Sequence, residues 1–403
     1  MFAVTRDDSE PIPFPKPATL ARRSRGDELR HVMSASTGFM PTYARSLRRL
    51  RNGVEIFPAM LAAIAEAKRS VAFVTFVYWT GEIAERFADA LADAARRGVT
   101  VRVVLDSFGA RQMDSSLVDR MRAAGVEVRW FRPLRTWRVW RSSHRTHRKL
   151  LIIDGHLGYT GGVGIAEEWE GDARDASEWR DTHFEIEGPV VTALWGAFVG
   201  TWLESGGEPL PAPQAPQPYD SEPMLPVLAI PTTGAIGWSR TAGAFWNLMR
   251  SAKRSLRIAT AYFTPDHRTL AALIEAAQSG VRVEILLPGE HTDSPLVKLA
   301  SVRHLQPLLD AGAHVYHFQP TMMHAKLIIV DDALVCFGSA NLNSRSMSKD
   351  EEILIASTSS ELITTLLEDF EADLARSREL VEVDVPWWRW LLSKLVKPLR
   401  SEL

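Results

Sequence analysis

Short apolar, β-branched runs alternate along the chain with stretches whose apolar residues recur at helical spacing, the pattern of an α/β protein. One run covers Val71–Tyr78 and another Leu256–Tyr262. Each follows a helical stretch (Phe57–Glu66 and Phe245–Ser251) and precedes a second one (Glu82–Arg96 and Leu270–Gln278). Each second helix runs into a glycine, Gly98 or Gly280, as a helix C-terminus should, and then into a strand ending at Leu105 or Leu287. The tetrapeptide Ala67-Lys68-Arg69-Ser70 recurs at the corresponding place as Ala252-Lys253-Arg254-Ser255. The pattern predicts a duplicated α/β architecture. Its halves would be related by a pseudo-twofold axis that brings equivalent residues to one interface.

Less regular sequence divides the chain. Residues 1–45 are polar and Pro/Arg-rich and are expected to be poorly ordered; 46–205 form the first half. Residues 206–235, rich in Pro and Gly, read as a linker; 236–380 form the second half and 381–403 an amphipathic, Trp-rich segment. Against this frame, 47 Lys and Arg oppose 49 Asp and Glu for a formal charge of −2, so no global field draws the protein to nucleic acid or anionic lipid. Such affinity has to come from local patches. The one cysteine, Cys336, lies in the apolar run Ala333–Phe337 and reads as a core thiol. It excludes an internal disulfide framework and a Cys-rich zinc site. No secretory leader pattern is visible, and the longest apolar run, Val71–Trp79, is too short to cross a bilayer, so the chain is expected not to be integral to a membrane.

The chemistry is carried by a motif that occurs twice. His147-Arg148-Lys149 leads through an apolar run to Asp154, and His324-Ala325-Lys326 leads likewise to Asp331, each as H-x-K-x4-D. Both runs read as strands, on which His147 and Lys149 share one face while Asp154 falls on the other; the same holds for His324, Lys326 and Asp331. Turn signals at Asp154-Gly155 and Asp331-Asp332 fold the chain back. That would place Gly162–Gly164 beside His147 and Ser339–Asn341 beside His324. Ammoniums, backbone N–H groups at Gly162 and Ser339 and the Asn341 amide suit a phosphoryl group. A neutral imidazole is a competent nucleophile near pH 7, and a second can protonate a leaving oxygen. The lysines supply the positive charge, so the reading requires neither metal nor other cofactor.

The paired motifs resemble the phospholipase D superfamily from about residue 45 to 380. Within it the chain is similar to bacterial cardiolipin synthases of the type lacking N-terminal membrane helices. The words that carry this are His147-Arg148-Lys149, Gly161-Gly162, Trp179-Arg180-Asp181-x-His183 through Ile186-Glu187-Gly188-Pro189, and Asn341-Leu342-Asn343-Ser344-Arg345-Ser346. The resemblance implies a duplicated phospholipase D fold, two mixed-sheet halves flanked by helices, with one active site at their interface. It makes His147 the nucleophile and His324 the general acid, later the base that activates the acceptor. Lys149, Lys326 and Asn341 would hold the phosphate, and Asp154 and Asp331 would be supporting members of the catalytic motif. An acid downstream of each motif orients the histidine of the other half: Asp181 for His324 and Glu352 for His147. Glu351 competes with Glu352, and strand register does not decide between them. One departure stands out: Gly164 occupies the family's first-half Asn position, and losing such a donor can cost ~3 kcal/mol in the transition state.

The implied activity is phosphatidyl transfer between phospholipids, phosphatidylglycerol first among them, through a phosphohistidine. The alternatives are hydrolysis by a phospholipase D or nuclease with water as acceptor, and an inactive membrane-binding homologue. Residues 386–397 have helical periodicity, with tryptophans and leucines on one face and cationic residues opposite, as an interfacial helix needs. Aromatics and arginines also interleave over residues 130–141. The expectation is a peripheral protein on the cytoplasmic side of the cell membrane, with nucleic acid disfavoured as partner.

Overall fold

The computed structural model describes residues 24–133, 144–213, 224–234 and 239–383. The described residues begin with α1 (Arg25–Thr37) and β1 (Thr42–Ala44), which pack on the second half. The first half proper comprises β2 (Ser46–Arg51), α2 (Asn52–Glu66), β3 (Ser70–Thr75), α3 (Glu82–Arg96), β4 (Thr100–Asp106), α4 (Ser115–Ala123) and β5 (Glu127–Phe131). It then returns through β6 (Leu150–Ile153), β7 (Leu157–Gly161) and β8 (Thr182–Glu187) to α5 (Val191–Glu204). The second half runs β9 (Leu225–Thr232), α6 (Arg240–Ser251), β10 (Ser255–Ala259), β11 (Phe263–Thr264), α7 (His267–Gln278), β12 (Arg282–Pro288), α8 (Pro295–Asp310) and β13 (His314–Phe318). It closes with β14 (Leu327–Val330), β15 (Leu334–Gly338), β16 (Leu342–Asn343), β17 (Glu352–Ser357), α9 (Ser360–Leu374) and β18 (Ser377–Leu380).

The local causes repeat with the elements. In α3, Ile83, Phe87 and Leu91 recur at spacing four and are buried, while Glu85 and Asp89 face outward. Gly98 and Gly280 adopt φ of +90° and +85° just past α3 and α7, the left-handed turn that sends each chain into the next strand. Asp266 caps α7 by accepting from the backbone of Arg268 and Thr269.

The first sheet has the order β2-β8-β7-β6-β3-β4-β5, and the second β1-β9-β17-β15-β14-β10-β12-β13-β18. Without its edge strands β1 and β18, the second order repeats the first strand for strand. Each sheet is mixed: β3, β4 and β5 are parallel, as are β10, β12 and β13, and the remaining pairings are antiparallel. One apolar core lies under the outer helices of each half. A third is common to both, drawing Phe184, Leu194 and Phe198 from one half and Phe337, Ile355 and Leu366 from the other. Within it the Phe184 and Phe337 rings stack with centroids 3.7 Å apart. The halves share an interior.

Three expectations need correction. The segment 1–45 is not uniformly poorly ordered: residues 25–37 form α1, whose Leu29 and Met33 are buried, and β1 pairs with β9. Two apolar anchors one helical turn apart in a polar stretch are too few to show this. The segment 206–235 is not only a linker, because it contains β9, whose Pro226 and Pro231 disguised an inner strand. The catalytic motifs are not wholly strand: β6 and β14 begin one residue after the lysines, and Asp154 and Asp331 sit in turns with φ of +51° and +54°. Residues 386–397 and 134–141 lie outside the described residues; Trp130 and Phe131 end β5.

Candidate active site

Each histidine is locked to the other half before its side chain is considered. The backbone N–H of His147 donates to Glu351 O at 2.9 Å, and that of His324 donates to Arg180 O at 2.7 Å. Thr146 and Glu351 form a parallel bridge, as do Arg180 and Met323. The residue after each bridge is an acid, so Glu352 reaches His147 and Asp181 reaches His324. His147 Nδ1 lies 3.0 and 3.1 Å from the Glu352 oxygens, and His324 Nδ1 lies 2.7 Å from Asp181 Oδ2. With Nδ1–H donated to a carboxylate, Nε2 carries the lone pair on each ring. Glu351 turns the other way, accepting from Arg148 Nη1 at 3.1 Å and Thr201 Oγ1 at 2.9 Å.

The lysines complete the constellation. Lys149 Nζ donates to His147 O at 3.0 Å and Lys326 Nζ to His324 O at 2.6 Å, and both side chains are buried. Burial, reinforced by Lys326, pushes Lys149 down to about 7; burial pushes Lys326 down to about 8 against the pull of Asp181 and Glu352. Burial and the ammoniums lower His147 to about 4 and His324 to about 3, with Glu352 and Asp181 opposing. Lys326 acts on His147 and Lys149 acts on His324, so the groups of both halves feel one another. At pH 7 the imidazoles are therefore neutral. Burial works to raise Glu352, but His147, Lys149 and the Ser339 hydroxyl hold it near 2; Asp181 is likewise kept below its ordinary range despite burial.

Gly162 and Ser339 do not sit as expected of phosphate ligands. Ser339 Oγ donates to Glu352 Oε2 at 2.5 Å, and its backbone N–H goes to Ile353 O. A Cβ on Gly162 would stand 2.2 Å from Asp181 Oδ1, and its N–H points to Thr182 O. Both positions serve the acid that orients the opposite half's histidine. Asn341 is different: it is buried, and its side-chain oxygen, an acceptor, has no partner among the described residues. The oxygen suits a donor group on a ligand, while only the amide N–H could meet a phosphoryl oxygen. At the equivalent Gly164 a Cβ would meet Val77 at 2.6 Å and Trp169 at 3.3 Å, so neighbouring bulk fills the space of the missing amide.

Asp154 and Asp331 touch no reacting group. Asp154 accepts from the backbone N–H groups of Lys68, Arg69 and Ser70 at 2.7–2.9 Å, and Asp331 from Lys253, Arg254 and Ser255 at 2.7–3.1 Å. Arg25 of α1 also donates to Asp331 at 2.7 Å. The repeated Ala-Lys-Arg-Ser tetrapeptide is thus the seat of the motif's aspartate. A four-residue strand, about 13 Å, separates that seat from the histidine.

Sequence reasoning missed the aromatic walls. Phe76 packs edge-on against His147 with centroids 5.2 Å apart, and Lys149 Nζ lies 5.7 Å from the same ring. Around His324 stand Trp169, Trp179 and Tyr262, at 5.1, 5.7 and 6.3 Å. Trp169 Nε1 and Ser346 Oγ are matching donors, to Asp181 at 2.9 Å and to Glu352 at 2.7 Å. Trp179 and Ser346 stand within the words that carry the resemblance; Trp169 and Tyr262 have no local signal.

A family model described as "Cardiolipin synthase, PLD-like domain" matches residues 60–169 and 245–374, one segment in each half. The chain is 34% identical over 347 residues to Cardiolipin synthase 1 of Bacillus anthracis, spanning 82% of this chain and 67% of that protein. It is 30% identical over 373 residues to Cardiolipin synthase A of Pseudomonas fluorescens, spanning 92% and 77%. The crystal structure of phosphatidylserine synthase from Haemophilus influenzae superposes with a TM-score of 0.73 over 93% of this chain and 98% of that one, at 13% identity, a likeness of fold. Family match, relatives and fold agree with the site's two-halved geometry, and the chain belongs to the cardiolipin synthase family with its phospholipase D-like domain.

Proposed function

We propose that the chain is a phosphatidyltransferase that joins two phosphatidylglycerol molecules into cardiolipin and glycerol through a phosphohistidine. The observation that carries this is the crossed pairing: each imidazole is held at Nδ1 by a carboxylate from the other half, with a buried ammonium beside it. In the first step His147 Nε2 attacks phosphorus, the bond to the leaving glycerol oxygen breaks, and that oxygen takes a proton from His324. In the second, the hydroxyl of another phosphatidylglycerol returns a proton to His324 and attacks phosphorus, breaking the bond to His147.

His324 is neutral in the ligand-free chain, so it takes up a proton from solvent as the substrate anion binds. A phosphodiester anion between Lys149 and Lys326 offsets the charges that depress His324, while Asp181 stays to stabilise the imidazolium. Lys149, Lys326 and the Asn341 amide N–H meet the phosphoryl oxygens, and Phe76, Trp169 and Trp179 limit the approach of water. Among the described residues no helix is long and apolar enough to cross a membrane. The chain works at a bilayer surface, on the cytoplasmic face, through residues 386–397 and 130–141.

Purified protein incubated with phosphatidylglycerol vesicles tests this. Cardiolipin and glycerol in equal amounts are expected. Phosphatidic acid as the sole lipid product would make the chain a hydrolase, and an unchanged vesicle would end the reading.

A further inference from the structure

The duplication is broken at one place beside the site. Thr75 Oγ1 donates to Val77 O at 2.9 Å and Thr260 Oγ1 to Tyr262 O at 3.1 Å, the same turn after β3 and after β10. Val77 and Tyr262 therefore occupy equivalent positions. In the first half Val77 is buried, filling the space beside Gly164. In the second, the Tyr262 ring stands edge-on to His324 at 88° and its hydroxyl donates to Asp293 Oδ2 at 2.5 Å. Asp293 comes from the loop between β12 and α8; the equivalent loop after β4 instead exposes Phe108, with Arg111 stacked on it. Asp293 remains open to solvent on one side, and the charge of Lys326 reaches it. One flank of the site is thus walled by Phe76 and Val77, while the flank at His324 carries a phenol and a carboxylate.

The two flanks match the two things a transfer must tell apart. Any phosphodiester donor is gripped at phosphorus by the lysines, whatever alcohol follows. The acceptor is chosen on the His324 side, where its hydroxyl gives up a proton. A polyol headgroup has a second hydroxyl next to the attacking one, and water does not. Resting on the transferase reading above, we infer that Tyr262 and Asp293 form an acceptor subsite for polyol alcohols. The Asp293 carboxylate accepts the neighbouring hydroxyl of a vicinal diol, and the Tyr262 ring seats its carbon chain, so that the attacking hydroxyl meets His324. A site built to bond a hydroxyl discriminates strongly against acceptors lacking it. The leaving glycerol departs past the same flank, but it is already bonded to phosphorus and has no water to compete with, so the first step tolerates the loss of either contact.

The test compares wild type with Tyr262→Phe and Asp293→Asn on phosphatidylglycerol vesicles, measuring cardiolipin, phosphatidic acid and total donor consumed. Both changes preserve shape, and equal thermal midpoints check that the fold is intact. The cardiolipin-to-phosphatidic acid ratio is expected to fall by about tenfold or more in Asp293→Asn and less in Tyr262→Phe, with donor consumption within about threefold of wild type. With ethanol as added acceptor, which has no second hydroxyl, phosphatidylethanol yield should match wild type. An unchanged product ratio, or a parallel loss of donor consumption and product, would overturn the subsite. A wild type that makes no cardiolipin would instead overturn the transferase reading itself.

Discussion

His147 and His324 lie inside the protein with an ammonium beside each, and both effects favour the uncharged ring. Lys149 and Lys326 lose their protons in the same environment far below the ordinary lysine range. These shifts predict the pH dependence of kcat/KM for a soluble short-chain phosphatidylglycerol. Activity should be lost below about 4, where His147 is protonated, and decline above it because His324 must take up a proton to act as acid. It should fall more steeply between about 7 and 8, where first Lys149 and then Lys326 cease to be cationic. A plateau extending to pH 10 would contradict this use of the lysines. At Gly162 the account is steric. Gly162→Ala puts a methyl 2.2 Å from the Asp181 carboxylate, so His324 should lose its tether and kcat should drop by roughly a hundredfold or more, with a small change in thermal midpoint. Near-normal kcat would show that Asp181 does not need its present position. The acids were legible only in part: period-two alternation left Glu351 and Glu352 open, and the choice comes from a bridge between Thr146 and Glu351 across the two halves.

Two hairpins, β6–β7 and β14–β15, carry the motifs, and each is anchored at its turn rather than at its catalytic end. Three backbone N–H groups of the Ala-Lys-Arg-Ser segment converge on each aspartate, a local cage that explains why the tetrapeptide recurs. Asp154→Ala should destabilise by about 2–4 kcal/mol by orphaning these donors, while kcat of the folded fraction stays within about threefold of wild type. Calorimetry with activity at low temperature separates the two. The hydrogen bonds hold Asp154 below its ordinary value despite burial. Its stabilisation is present above the unfolded carboxylate pKa and is lost as pH falls through the lowered one. Helix α3 matches its sequence expectation residue for residue because its apolar stripe is regular and Gly98 ends it. The strand β9 was hidden by its prolines, and α1 by having few apolar anchors. Where pattern was strong and local, sequence sufficed. Where an element is held by distant partners, as α1 is by Asp331 through Arg25, it did not.

The site exists only in the assembled molecule. The common core, the Phe184–Phe337 stack and the ion pairs from Arg51 and Arg180 to Asp373 at 2.9 and 2.8 Å hold the halves in one arrangement. Duplication foretold that equivalent histidines would meet. It did not foretell the unlike walls around them, because Phe76, Trp169 and Tyr262 gain their roles from contacts distant in sequence. In the proposed mechanism the two histidines divide the labour: one imidazole bonds to phosphorus and the other moves protons. Rapid quenching of the enzyme with phosphatidylglycerol labelled at phosphorus, followed by peptide mapping under alkaline conditions, reads this directly. An acid-labile adduct is expected on His147 in wild type, absent in His147→Ala, and none on His324. Label on His324, or turnover with label on neither histidine, would contradict it.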